Sequence, residues 1–351
     1  MKTPRELPVP DFYRPENAAR WDYGPDPLAV AERALAWRRE HDLAPAAADD
    51  FRLHVLLVDV QRDFCLPEGS LFVGGRSGRG AVEDSDRLAR FLYRNLGRIT
   101  AITATLDTHA PFQIFSPQFW VDRDGVPLGA HREVLAEEVR AGAVRPDPQL
   151  AAWLAPGGDR GWLARQALDY CERLERAGRY RLYLWPPHCL HGGDGHALTG
   201  VIQEARLFHA WARRADDRLV EKGSAPLTES YSVMRPEVLL AWDGRPLAAP
   251  DPALLERLLA ADAVVVAGQA ASHCVRWTLD DLLATALARD PGLARRIWIL
   301  ADCMSAVVVR DPQRPQEPLF DFTPAAEAAL ARYEAAGVRR LLSTEELPAG
   351  A

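Results

Sequence analysis

Side chains able to do chemistry stand at the ends of several apolar runs that are far apart in this sequence. The stretch Ala263-Val-Val-Val-Ala-Gly-Gln-Ala-Ala-Ser-His-Cys274 carries a cysteine out of a β-branched run and into a segment, 275–288, whose apolar residues recur at helical spacing. A thiol at the start of a helix faces unpaired N–H groups and the positive end of the dipole, which lowers its pKa and makes it a nucleophile. A cysteine taken singly is more often a small buried core residue. What decides between the two readings is the company the rest of the chain can bring to it.

Asp59, in Val-Asp59-Val-Gln-Arg-Asp63-Phe64, interrupts the apolar run 54–60. A carboxylate there must be paired or hydrogen-bonded, because an isolated buried charge is costly. It serves either as a base or as a tie for the following loop, a role equally open to Asp63. Asp107 and His109 end the run 99–106. Residues two apart on an extended segment point the same way, so the pair can offer an oxygen and a nitrogen to one centre. His188 follows Trp185-Pro-Pro, where two prolines hold the backbone extended. Two imidazoles and a carboxylate make a metal site that leaves positions open for water or substrate. Trp185 offers a flat apolar wall, or simply core. Lys222 closes an apolar strand just before Gly223. It can set its ammonium beside Asp59 and Cys274 and lower both pKa values, although a lysine taken singly is a surface residue. Cys189, His191 and His196 are close in sequence, but without a Cys-x2-Cys pair a structural zinc knot has no support.

The elements that must position these groups read as strand alternating with helix. Strands are expected at 54–60, 99–106, 180–185, 218–221, 263–267, 297–300 and 338–342. Helical patterns fall at 82–96, 162–177, 197–213, 252–259, 275–288 and 324–336. That alternation predicts an α/β fold with three layers, a central, mainly parallel sheet covered by helices on both faces. In such sheets ligands bind where the carboxyl ends of the strands open into loops, which is where the groups above stand. Residues 1–25 are rich in proline, aromatic and charged residues without a period and read as an extended arm, followed by a short helix from Asp26-Pro27 and a linker at 45–50.

A chain of 351 residues, 48% apolar and 26% charged, can bury a large core. The net charge of −7 and the interleaving of arginines with acids speak against a nucleic-acid surface. No apolar run is long enough to span a bilayer and the first residues lack the apolar core of a signal peptide, so no membrane is expected and a cytoplasmic location is. Five scattered cysteines fit reduced thiols.

Taken together, Val-Asp59-Val-Gln-Arg-Asp-Phe64, Asp107-Thr-His109, Trp185-Pro-Pro-His188, Lys222-Gly with Tyr231-Ser232, and Gly268-Gln-Ala-Ala-Ser-His-Cys274 resemble the isochorismatase-like cysteine hydrolases, and within them most resemble the nicotinamidases (pyrazinamidases). The resemblance covers roughly residues 51–120 and 181–310. It implies an N-terminal arm and helix over 1–50 and a hydrolase domain over 51–351, with an insertion at about 121–180. It implies a metal-dependent amidohydrolase that converts nicotinamide, or a closely related aromatic amide, to the acid and ammonia through a thioester. Cys274 would be the nucleophile, Asp59 the base and acid, and Lys222 the cation of the ion-pair arrangement. Asp107, His109 and His188 would hold one divalent metal, zinc or else iron or manganese. Phe64 and Trp185 would sandwich the ring of the small-molecule substrate beside Tyr231. The backbone N–H groups of Ala270 and Cys274 would form the oxyanion hole, with a cis peptide at Gln269–Ala270. A homo-oligomer is compatible with the resemblance.

The chain departs from the family pattern in having no further histidine in the loop 110–117, serine at 272 where aspartate is common, Met234 near a usual aromatic, and the insertion itself. The alternatives are a related cysteine amidase acting on a carbamoyl, ureido or maleamate-type amide, and a non-catalytic member that binds a ligand or partner.

Overall fold

The computed structural model describes residues 6–178, 180–311, 313–314 and 317–348, so residues 1–5 of the arm and Arg179 of the insertion lie outside the described residues. Six strands form one sheet among them: β1 (Leu53–Val58), β2 (Ile99–Asp107), β3 (Asp217–Lys222), β4 (Ala263–Gly268), β5 (Ile297–Leu300) and β6 (Arg339–Leu341). Their order across the sheet is β6-β5-β4-β1-β2-β3, and every neighbouring pair is parallel.

The alternation within each strand builds the layers. Leu53, Val55 and Leu57 of β1, with Ala263 and Val265 of β4, face a core shared with helices Gly80–Arg94 and Gly200–Arg213 through residues such as Leu88, Phe91, Val201 and Phe208. Leu56, Val58, Val264 and Val266 point the other way. They meet Leu258 of helix Pro252–Leu259, Val275 and Leu279 of Cys274–Arg289, and Leu330 of Thr323–Ala335. β1 and β4 are buried on both faces, which is why they read as continuous apolar runs. The fold is thus three-layer α/β/α. Chain direction across the sheet reverses between β1 and β4, and a crevice opens beyond the carboxyl ends of the strands at such a switch point.

Two expectations change. The run 180–185 does not join the main sheet. Its strand, Leu182–Leu184, pairs antiparallel with Arg132–Val134. Apolar alternation marks a half-buried strand but does not name its partner. The same stretch of chain also supplies Trp120–Asp122 paired with Val144–Pro146, and an 18-residue helix, Arg160–Ala177. That helix packs on the loop after β3: Gln166 accepts from the Trp242 backbone N–H at 3.0 Å, and Trp162 Nε1 donates to Asp243 at 2.7 Å.

The described part of the N-terminal arm is not an extended tail either. Tyr13 and Ala18 belong to the main core, the Tyr13 hydroxyl donates to Asp86 at 2.8 Å, and the Tyr23 hydroxyl donates to Glu204 at 2.5 Å. Aromatic residues without a period gave no element, yet each is large enough to be worth burying. Among the described residues no helix is long and apolar enough to cross a membrane, and all five cysteines are free and buried.

Candidate active site

Each strand near the switch point delivers one group. β1 stops at Val58, two residues before the end of the expected strand, where Asp59 takes a left-handed φ of 48°. Asp is among the few non-glycine residues that tolerate it. The turn aims the Asp59 carboxylate, fully buried, at the ends of the neighbouring strands. The Thr105 hydroxyl donates to Asp59 Oδ1 and accepts from the Asp59 N–H at 3.0 Å. Gln61 brackets Asp107: its Oε1 accepts from the Asp107 N–H at 2.7 Å and its Nε2 donates to the Asp107 carbonyl at 2.9 Å. Asp63 acts as a tie, accepting from the N–H of Ser70 at 3.1 Å and of Cys189 at 2.7 Å.

Lys222, the last residue of β3, sits at the centre. Its Nζ is 2.9 Å from Asp59 Oδ2, 2.9 Å from Asp107 Oδ1, 2.9 Å from the Ser230 carbonyl and 3.6 Å from Cys274 Sγ. Cys274 is the first residue of helix Cys274–Arg289. The nearest oxygens of Asp59 and Asp107 and the Cys274 sulfur lie within 4.8 Å of one another.

The electrostatics correct one expectation. Burial pushes the Cys274 thiol well above its usual range, with Lys222 opposing and Asp59 adding to the rise. Burial likewise raises the Asp59 carboxyl, against the pull of Lys222. The helix start and the ammonium favour a thiolate, but desolvation outweighs both in a closed hollow. Lys222 stays charged: burial alone would lower its pKa, and the carboxylates of Asp107 and Asp59 hold it well above the usual lysine value.

The second cluster shares Asp107. Its Oδ2 is 3.0 Å from His109 Nε2 and 3.8 Å from His188 Nε2, and one ligand atom from each of the three residues lies within 4.8 Å of the others. Both imidazoles have Nδ1 tied to a backbone carbonyl, His109 to Gly223 at 3.1 Å and His188 to Pro186 at 2.7 Å. This fixes the tautomer that leaves Nε2 as the lone-pair atom. His109 Nε2 is buried without a hydrogen-bond partner, and a donor set of two imidazoles and a carboxylate suits zinc or a similar ion. The residues therefore fit a divalent metal. Gly223 makes room for the cluster: its φ is +79°, and a Cβ there would stand 2.7 Å from both Asp107 Oδ1 and His109 Cε1. Cys189, His191 and His196 form no ligand cluster among the described residues.

Cys274 of the first cluster and all three residues of the second line one pocket, with about 490 Å³ of empty volume counting the open solvent at its mouth. Phe64, Trp185 and Tyr231 line it, and Trp185 Nε1 donates to the Tyr231 hydroxyl at 2.8 Å. The wall also includes residues not singled out in the sequence, among them Phe115, Glu229, His273 and Val307. Phe115 and Val307 lie in segments without a period, and nothing local marks them. His273 next to the nucleophile was visible, and burial pushes its imidazole down to about 3, so it lines the pocket as a neutral ring. The Gln269–Ala270 bond is cis. Among the described residues no protein acceptor takes the N–H of Ala270 or of Cys274. Two donors beside the sulfur are left for a ligand.

Glu229 is buried at the pocket wall, held by the hydroxyls of Tyr231 and Tyr170, the latter from the inserted helix. Burial pushes its carboxyl up to about 8 from a value of 4.5 when solvated. Between those values the unfolded chain gives up the proton that the folded chain keeps, so stability falls as pH rises through this window. Glu229→Gln removes the loss. It is expected to leave stability unchanged at pH 4 and to raise it by about 3 kcal/mol at pH 7, read from denaturant midpoints at the two values. A difference that does not grow with pH would show that Glu229 is ionised in the fold.

Fold and site together define a three-layer α/β/α protein with a cysteine-centred polar cluster at its sheet's switch point. No protein-family model matches the sequence, and the comparison with curated proteins finds no match. Among solved structures the chain is similar to nicotinamidases and pyrazinamidases. With the Acinetobacter baumanii nicotinamidase/pyrazinamidase it shares 18% identity over 84% of this chain and 97% of that one, at a TM-score of 0.47. With the yeast nicotinamidase bound to the inhibitor nicotinaldehyde the figures are 17%, 83%, 99% and 0.49. With the Pyrococcus horikoshii pyrazinamidase in complex with zinc they are 17%, 83%, 99% and 0.42.

Proposed function

We propose that the protein hydrolyses a small amide, nicotinamide or a close aromatic relative, to the acid and ammonia through a thioester on Cys274. The observation that carries this reading is a single ammonium, Lys222, 2.9 Å from Asp59 and 3.6 Å from the sulfur of Cys274, which lines a largely apolar pocket.

An amide is a poor electrophile, so the sulfur must attack as thiolate. At rest the thiol keeps its proton. Asp59, whose carboxyl burial has raised, is matched to accept it, and Lys222 stabilises the negative charge on either atom. The C–S bond forms, and the carbonyl oxygen, now an oxyanion, takes the N–H groups of Ala270 and Cys274. Asp59 returns the proton to the nitrogen as the C–N bond breaks and ammonia leaves. Asp59 then takes a proton from water, which attacks the thioester, and the acid departs as the thiol is restored. Phe64 and Trp185 hold the ring beside Tyr231, whose hydroxyl accepts from Trp185 Nε1. Asp107, His109 and His188 would hold one divalent ion, which when bound supplies a Lewis-acid contact that orients a ring nitrogen of the substrate.

The test is ammonia release from nicotinamide, pyrazinamide, maleamate, ureido and carbamoyl compounds, with and without a chelator. Turnover of the aromatic amides is expected, with loss on chelation and with one divalent ion per chain that His109→Ala no longer retains. Turnover of only the non-aromatic amides, unaffected by chelator, would favour the metal-free amidases instead. Ammonia from none of them would end the reading.

A further inference from the structure

Gln269, the residue before Ala270, is 1% exposed and does not line the pocket, yet its backbone N–H and both ends of its side-chain amide are engaged. Its backbone N–H donates to the Val58 carbonyl at 2.8 Å. Its side-chain Nε2 donates to Asp84 Oδ2 at 2.8 Å, and its Oε1 accepts from the Ser305 N–H at 3.2 Å. The Ser305 carbonyl in turn accepts from the Ala271 N–H at 2.8 Å. Asp84 lies on helix Gly80–Arg94, buried, with its other oxygen accepting from Arg87 Nη2 at 2.7 Å. Arg87 Nε continues the chain to the Asp302 carbonyl at 2.5 Å. A carboxylate only accepts, so Asp84 selects the NH₂ end of the Gln269 amide and leaves the oxygen end for Ser305. Residues on both sides of Ala270 are thereby fixed from a helix on the far side of the sheet from Cys274–Arg289, while among the described residues the Ala270 N–H has no protein acceptor.

We propose that Asp84 is a positioning residue for the amide hydrolysis, orienting Gln269 and through it the Ala270 N–H that receives the oxyanion. This rests on the amidase reading above. Nothing in the pocket requires a buried Asp–Gln pair 185 positions apart in sequence, whereas an oxyanion donor does need fixed geometry: a misplacement of about 1 Å can cost on the order of 10²-fold in rate.

The test compares wild type with Asp84→Leu, Asp84→Asn, Gln269→Met and the double variant Asp84→Leu/Gln269→Met. It measures kcat and KM on the best amide of the ammonia screen, together with inhibition by the aldehyde analogue of that amide. The aldehyde carbon takes the Cys274 sulfur and its oxygen takes the donors. Asp84→Leu is expected to lower kcat by about 10- to 100-fold with KM within about threefold, and to weaken the aldehyde by the same factor. Asp84→Asn, which keeps an acceptor for Gln269, is expected to recover most of the loss. The double variant is expected to be no worse than the poorer single one, because the two residues act as one unit. Wild-type kcat in Asp84→Leu, a multiplicative loss in the double variant, or lost kcat with unchanged aldehyde affinity overturns the inference. If Asp84→Leu does not fold, Gln269→Met decides: full kcat and full aldehyde affinity overturn it, and their parallel loss supports it. An active wild type with neutral variants removes only this inference, while a wild type that releases no ammonia from any amide removes the amidase reading with it.

Discussion

Cys274→Ala is expected to fold and to release no measurable ammonia, a loss of about 10⁴-fold or more in kcat. The fold should hold because the change removes one buried atom and breaks no ion pair. Lys222 keeps Asp59, Asp107 and the Ser230 carbonyl, each at 2.9 Å, and a small cavity at the first helical residue costs about 1 kcal/mol. The chemistry cannot hold, because no other thiol reaches the pocket. Cys65, Cys171, Cys189 and Cys303 are buried elsewhere and do not line it. The measurement pairs ammonia release with a denaturation curve. Wild-type turnover in the alanine variant would remove Cys274 from the mechanism.

Lys222→Met should strike fold and function together. Methionine fills much the same space, but the fully buried Asp59 then faces Asp107 with no cation between them. Removing one partner of a buried pair leaves an uncompensated charge and costs about 3–5 kcal/mol. Activity should fall to the level of the Cys274 variant, since nothing would then stabilise the thiolate. A denaturant midpoint lowered by that amount, with no ammonia release from the folded fraction, is the expected result. A variant as stable and as active as wild type would show that the ammonium is a bystander. A loss of stability with turnover intact would make it a structural pair alone.

Much of the fold was legible because its central strands are buried on both faces. Val264, Val265 and Val266 announce a parallel strand by composition alone, and the residues beyond such strands were the ones worth examining. Cys274 at a helix start, Asp107 with His109, and Lys222 before Gly223 could all be picked out by position in the pattern. Three things could not. The partner of the 182–184 strand is set by long-range packing, which no local period encodes. The pocket wall at Phe115, Glu229 and Val307 comes from loops whose only signal is tertiary. The protonation of Cys274 depends on how completely the hollow is closed, and the sequence shows which charges are present but not how dry they are. The expectation of a lowered thiol pKa failed there, because desolvation competes with the ammonium at a range of a few ångströms.

The burial of that sulfur also bears on its durability. Peroxide and electrophiles attack thiolates that solvent can reach, whereas Cys274, though it lines the pocket, is only 7% exposed and burial pushes its thiol up. As the nucleophile proposed above it is ionised only once Asp59 takes its proton, so it is expected to react with peroxide more slowly than a cysteine kept permanently ionised.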